Sequence, residues 1–220
     1  MPQLLVRDLG RREYLSALSY QLSLLKEKQE KRLGDVLLLL EHPHVFTMGP
    51  AAKEKNLLFP GDIPVHRTSR GGDVTYHGPG QVVVYPLIDL KSKLRKAVHT
   101  YLHNLEKALT DTLDAFGIHA ERRPGCTGVW IGIKKIAAIG IAVRRGIVFH
   151  GAALNVNPDL AYYDRIVPCG LAWARVTSME RELERAMDPA VVKEVLVRCF
   201  ARRFGYTEIL QSCQEDTPIG

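Results

Sequence analysis

Two thiols and one amine frame the chemistry open to this chain of 220 residues. Cys169 sits between Pro168 and Gly170, and Cys126 follows Pro124 and Gly125. Proline fixes φ and glycine permits close approach, so each thiol stands on a shaped turn that a ligand can reach. Cys199 shares an apolar helical face with Val195 and Phe200, and Cys213 lies close to the C-terminus. A lone cysteine is most often a small buried hydrophobe, so nucleophile chemistry rests on Cys169, with Cys126 as its rival. A neighbouring cation favours thiolate over thiol. Lys135 opens the run IAAIG, whose small residues leave room beside the backbone, while Lys134 points to the opposite face of an extended segment. A Cys–Lys pair of this kind suits nucleophilic acyl transfer with no histidine required.

A second stretch asks for a ligand. Arg70 to Gly80 reads RGGDVTYHGPG, with four glycines and a proline around Asp73, Thr75, Tyr76 and His77. Glycine lets backbone approach a ligand closely, and a plain solvent loop would not need a tyrosine and a histidine among its glycines. An apolar run from Val82 to Ile88 follows at once, which sets this loop at the mouth of a sheet. Metal chemistry finds less support. There is no CxxC pair; His42 and His44 flank a proline after a strand; and the HxxxH pair His99 and His103 reads as a solvated helix face.

These residues need elements to hold them. Leu4 to Leu9 predicts a first strand. Tyr14, Leu15, Leu18, Leu22 and Leu25 predict an amphipathic helix over roughly 11–32. Val36 to Leu40 is a strand-length run, apolar on both faces. Pro50 to Pro64 is a long loop. Val82 to Ile88 is a strand whose Pro86 suggests an edge or a bend. Val98, Leu102, Leu105, Leu109 and Leu113 carry helical period over 96–116. A short strand at 118–122 and three more at 128–133, 135–143 and 147–156 follow in meander order. A last helix spans 190–204, and 211–220 reads as a frayed tail. The expected architecture is a single α+β domain over 1–220, with helices covering one side of a mostly antiparallel sheet.

Composition narrows the function classes. A net charge of +6 favours acidic partners, but the basic residues are scattered or in short clusters such as Lys26 to Arg32 and Lys91 to Lys96. No long basic arm supports a nucleic-acid binder. No run of eighteen apolar residues predicts a membrane span, and the N-terminus lacks the order of a secretory signal. A cytoplasmic protein is expected, in which the four cysteines form no disulfide framework.

Five blocks in order carry a resemblance: RGGDVTYHGPGQ (70–81), TGVW (127–130), KIAAIG (135–140), HGAALNVN (150–157) and PCG (168–170). Together they resemble the octanoyltransferases of lipoate biosynthesis, which share a fold with lipoate and biotin protein ligase catalytic domains. The resemblance implies that Cys169 takes the acyl group as a thioester and that Lys135 lowers its pKa and shuttles protons. It implies acyl-substrate contacts at Arg70, Gly71, Gly72, Asp73, Val74, Thr75, Tyr76 and His77, at Ala138, Ile139 and Gly140, and at Gly151, Ala152 and Ala153. The small residues make physical sense, because a flexible eight-carbon chain needs a smooth apolar slot. The implied donor is octanoyl-acyl carrier protein. The implied acceptors are lipoyl domains of 2-oxoacid dehydrogenases and the glycine cleavage H protein. No cofactor, metal or ATP is expected, since the donor is already a thioester. Asp73 and Cys126 depart from the family pattern. An ATP-dependent lipoate-protein ligase and a non-catalytic lipoyl-domain or carrier-protein binding module remain as alternatives.

Overall fold

A computed structural model describes residues 2–90 and 95–211. In chain order the elements are β1 (Gln3–Arg11), α1 (Tyr14–Gln29), β2 (Asp35–Glu41), β3 (Val45–Met48), β4 (Val65–Arg67), β5 (Val74–His77), β6 (Gln81–Asp89), α2 (Arg95–Asp114), β7 (Glu121–Arg123), β8 (Cys126–Ile131), β9 (Lys134–Arg144), β10 (Ile147–Asn155), β11 (Arg175–Val176), α3 (Met179–Leu183), α4 (Pro189–Phe204) and β12 (Glu208–Gln211). The expected tail therefore contributes Gln211 to a strand, while 212–220 with Cys213, and the side chains of the basic cluster at 91–96, lie outside the described residues.

Among the described residues, the large sheet has the order β12-β1-β2-β6-β10-β9-β8-β7, with β11 beside β9. From β2 to β7 every pairing is antiparallel, whereas β1 pairs in parallel with both β2 and β12. The hairpin between β9 and β10 turns on Arg145 and Gly146, both at positive φ, the backbone that two-residue hairpins require. A small second sheet, β4-β3-β5, stands apart from the first.

Helices cover both faces of the large sheet, not one. Leu37 and Leu39 of β2 pack with Leu105 and Leu109 of α2 and with Leu196 and Phe200 of α4. Val36, Leu38 and Leu40 turn the other way, onto Ala17, Leu24 and Leu25 of α1. The reason is in the strand itself. Five consecutive buried apolar residues expose a greasy surface on each side of the pleat, and both must be covered.

Pro86 does not mark an edge, because β6 lies in the middle of the sheet. Pro86 pairs with Leu37 on one side. On the other, the ladder to β10 is interrupted between Val148 and Ala152. There His150 takes a φ of 57°, and its N–H leaves the sheet to donate to Gln21 Oε1 of α1 at 2.8 Å. The donor that proline lacks is thus missing where the facing strand has already turned aside.

Candidate active site

The segment after Cys169 is stitched to the start of β9, and this brings together two side chains 34 residues apart in sequence. β11 pairs in parallel with β9, Arg175 opposite Lys134 and Val176 opposite Lys135. Arg175 N donates to the Ile133 carbonyl at 3.1 Å and Thr177 N to the Lys135 carbonyl at 3.0 Å. As a result Lys135 Nζ donates to Cys169 Sγ at 3.1 Å and to the Thr127 carbonyl at 3.1 Å. Lys135 is 6% exposed, whereas Lys134 points away and pairs with Glu182 at 2.5 Å, as strand alternation requires.

The turn that carries Cys169 is strained and braced. Cys169 sits at φ 56°, ψ 20°, a left-handed backbone that non-glycine residues adopt at a cost of about 1–3 kcal/mol. Val167 N donates to the Asn56 carbonyl at 2.7 Å, and Asn56 Nδ2 donates to Asp73 Oδ2 at 2.6 Å. That carboxylate lies so close to Gly170 that a Cβ there would meet it at 2.6 Å. Gly170 is therefore the residue this turn needs, and Asp73 acts as a brace beneath the thiol. Room for the amine comes from Gly128, whose added Cβ would stand 3.2 Å from Lys135 Cε. The Nζ also lies 4.6 Å above the centre of the Trp130 ring. Trp130 stacks on Trp173 at 5.4 Å, and the Arg123 guanidinium lies 4.5 Å from the far ring.

The pair opens into a cavity of about 220 Å³ between the large sheet and the small one. That is below the ~300–1,000 Å³ of common ligand pockets, and it suits a thin chain. The expected residues Ala138, Ile139 and Gly140 of β9 and Gly151, Ala152 and Ala153 of β10 all line it. So do Arg70, Gly71, Gly72, Asp73, Thr75 and His77. Val74 and Tyr76 do not, and the reason is alternation. Residues 74–77 form a strand where the glycines suggested loop, so every second side chain faces away. Val74 and Tyr76 pack instead with Phe46, Met48, Ile63 and Tyr163. Tyr14, Tyr85, Thr127, His150 and Leu171 also line the cavity, and sequence reading passed over them as site residues. Tyr14 and Tyr85 occupy periodic positions identical to those of core residues, whereas His150 and Thr127 lie inside conspicuous motif blocks.

Buried polar groups surround one end of the cavity. Arg70 is 7% exposed and forms no ion pair among the described residues. Its guanidinium donates to Thr47 Oγ1 at 3.0 Å, to the Thr47 carbonyl and to the Gly71 carbonyl at 3.0 Å. His42 donates from Nδ1 to the Arg12 carbonyl at 2.7 Å, which leaves Nε2 to accept the Tyr85 hydroxyl at 2.8 Å. Burial pushes His42 down to about 4. Burial first, then the Arg70 charge, brings His150 down to about 4 as well. Among the described residues no group of three or more His, Cys, Asp or Glu side chains is arranged to hold a metal ion.

These neutral histidines set a pH dependence. In the unfolded chain a histidine protonates near ~6.5, whereas these two resist protonation until pH approaches about 4. The unfolded state therefore binds more protons as pH falls, and the stability present above the unfolded value is lost on the way down to the folded one. Each ring should cost on the order of 2 kcal/mol of stability by about pH 5. Urea unfolding at about pH 7.5 and about pH 5 should show a clear drop in midpoint without loss of cooperativity, and equal midpoints would contradict the buried neutral rings.

Comparison with known proteins gives this geometry its context. The lipoyl protein ligase A/B catalytic domain family matches residues 13–201. Octanoyltransferase from Xanthomonas campestris pv. campestris strain 8004 is 47% identical over 200 residues, covering 91% of this chain and 85% of the relative. The chain belongs to the octanoyltransferase family. Octanoyltransferase from Solibacter usitatus is 48% identical over 208 residues, with 91% and 93% covered. The mitochondrial octanoyltransferase LIP2 of Arabidopsis thaliana is 39% identical over 213 residues, with 93% and 90% covered. The fold of the family member described above is shared with a lipoate-protein ligase A bound with ATP, at a TM-score of 0.71 and 16% identity, covering 96% of this chain and 87% of the other. A biotin protein ligase from Aquifex aeolicus aligns at 0.55 and 12% identity, covering 93% and 70%. Among the described residues no helix is long and apolar enough to cross a membrane.

Proposed function

We propose that this chain, acting as one catalytic domain, moves an octanoyl group from acyl carrier protein to a lysine of a lipoyl domain through a thioester on Cys169. The acceptors are the lipoyl domains of 2-oxoacid dehydrogenases and the glycine cleavage H protein. The observation that carries this reading is the 3.1 Å contact from Lys135 Nζ to Cys169 Sγ at the mouth of a slot floored by alanine and glycine.

In the first half-reaction the Cys169 thiolate attacks the thioester carbonyl and a tetrahedral oxyanion forms. The bond to the carrier's sulfur breaks, and that sulfur takes a proton from the Lys135 ammonium. In the second half-reaction the acceptor amine attacks the acyl-enzyme. The attacking nitrogen gives a proton to the now neutral Lys135, and Cys169 departs as thiolate. Amide and free enzyme result, and no ATP enters because the acyl group arrives already activated. The net charge of +6 fits two acidic protein partners that use one mouth in turn, mainly by steering their approach.

Incubation with octanoyl-acyl carrier protein and no acceptor should add the mass of one octanoyl group, mapping to Cys169. ATP with free octanoate and acceptor should give no product. A label on Cys126 would reassign the nucleophile, and product from ATP and octanoate would favour a ligase.

A further inference from the structure

The slot ends in a wall of a different chemistry from its floor. From Lys135 the cavity runs along β9 past Ala138, Ile139 and Gly140. Along that stretch the pairs Ala138–Ala153 and, at its end, Gly140–Gly151 present almost no side chain. There the lining changes to Tyr85, Tyr14, His77, His150 and Arg70, whose side chain lies against Gly140. These are aromatic and polar, and all are buried.

Tyr85 follows Val84, the partner of Ala152, so it enters the wall at the level of Gly151. It cannot swing aside cheaply. Its hydroxyl is held by His42 Nε2 at 2.8 Å, and its ring meets His150 edge-on, at 6.3 Å between centroids and 85° between planes. His42, fully buried, is itself tied to the Arg12 carbonyl. Tyr14 is pinned in the same way, its hydroxyl on Thr68 Oγ1 at 2.8 Å and its ring 5.4 Å from that of His42. Moving Tyr85 would leave His42 Nε2 buried and without the partner it has now, an expensive state for a polar atom shut away from water. His77 Nδ1 is already buried without a partner on this wall, and methylene groups cannot satisfy it.

We infer that Tyr85, locked by His42 and flanked by Tyr14, is the back stop of the acyl slot and sets the longest chain the site accepts. This deepens the acyl-transfer reading and rests on it. A chain that ends before the wall lies on alanine, glycine and Ile139. A longer one must displace a pinned phenol or remain partly outside the slot, away from the geometry of attack.

The test uses the whole chain with hexanoyl-, octanoyl-, decanoyl- and dodecanoyl-acyl carrier protein, reading the rate at which each acyl mass appears on Cys169. The wild type should lose about tenfold or more between octanoyl and dodecanoyl. Tyr85→Ala should raise the dodecanoyl-to-octanoyl rate ratio by about tenfold. If circular dichroism shows that Tyr85→Ala does not fold, Tyr85→Leu and Tyr14→Ala are read by the same ratio and should raise it severalfold. A ratio unchanged in the folded variants, or a wild type that takes dodecanoyl as fast as octanoyl, overturns the back stop. Failure of every donor to acylate wild-type Cys169 is a different result, because it overturns the acyl-transfer reading itself.

Discussion

Exchanging sulfur for oxygen at Cys169 should cut octanoyl transfer by about a thousandfold or more in a Cys169→Ser variant that still folds. Serine keeps the size and the turn. The left-handed backbone at this position is equally awkward for either residue, and its braces, Val167 to Asn56 and Asn56 to Asp73, involve neither side chain. What changes is the nucleophile. A hydroxyl beside an ammonium is not deprotonated as a thiol is, and an ester formed there would be a poorer acyl donor to an amine than a thioester. Steady-state transfer and intact mass should fall together: no acyl adduct, no product. Undiminished transfer in this variant would hand the role to Cys126, the other thiol lining the cavity.

Replacing Lys135 by methionine should cost between about a hundredfold and ten-thousandfold, the usual range for a proton-transferring group. Methionine preserves the apolar stem against Trp130 while removing the three N–H donors, two of which serve Cys169 Sγ and the Thr127 carbonyl. Lys135→Arg separates two roles. Arginine keeps the positive charge but does not give up its proton. The arginine variant should therefore form acyl-enzyme faster than the methionine variant but slower than wild type, whose ammonium can protonate the departing sulfur, and should pass the acyl group to an acceptor lysine slowly. Equal rates for all three side chains in both half-reactions would remove Lys135 from the chemistry.

Much of the site is legible in residue types, less of it in residue positions. Cys169 between proline and glycine, and Lys135 ahead of small residues, can be picked out by their chemistry alone. Their meeting cannot, because it depends on β11, two residues long and without any periodic signal. The alanine and glycine runs of β9 and β10 stand out as small residues, and they line the cavity. Residues 74–77 are too short and too closely flanked by glycine to reveal their alternation, which hides Val74 and Tyr76 from the cavity. Val36 to Leu40 already implied two covered faces, a consequence that a one-sided arrangement of helices overlooks. Tyr14 and Tyr85 escape notice because a position facing a cavity and one facing a core obey the same period.

The stack beside the dyad gives the protein a built-in optical reporter. The chain has two tryptophans, and they are the two indoles of that stack, Trp130 beneath the Lys135 ammonium and Trp173 beneath the Arg123 guanidinium. Its indole emission therefore arises wholly beside the Lys135–Cys169 pair. Any event that neutralises or shifts the amine changes the charge over one of those rings, so under the proposed mechanism both half-reactions should register in stopped flow with no dye attached.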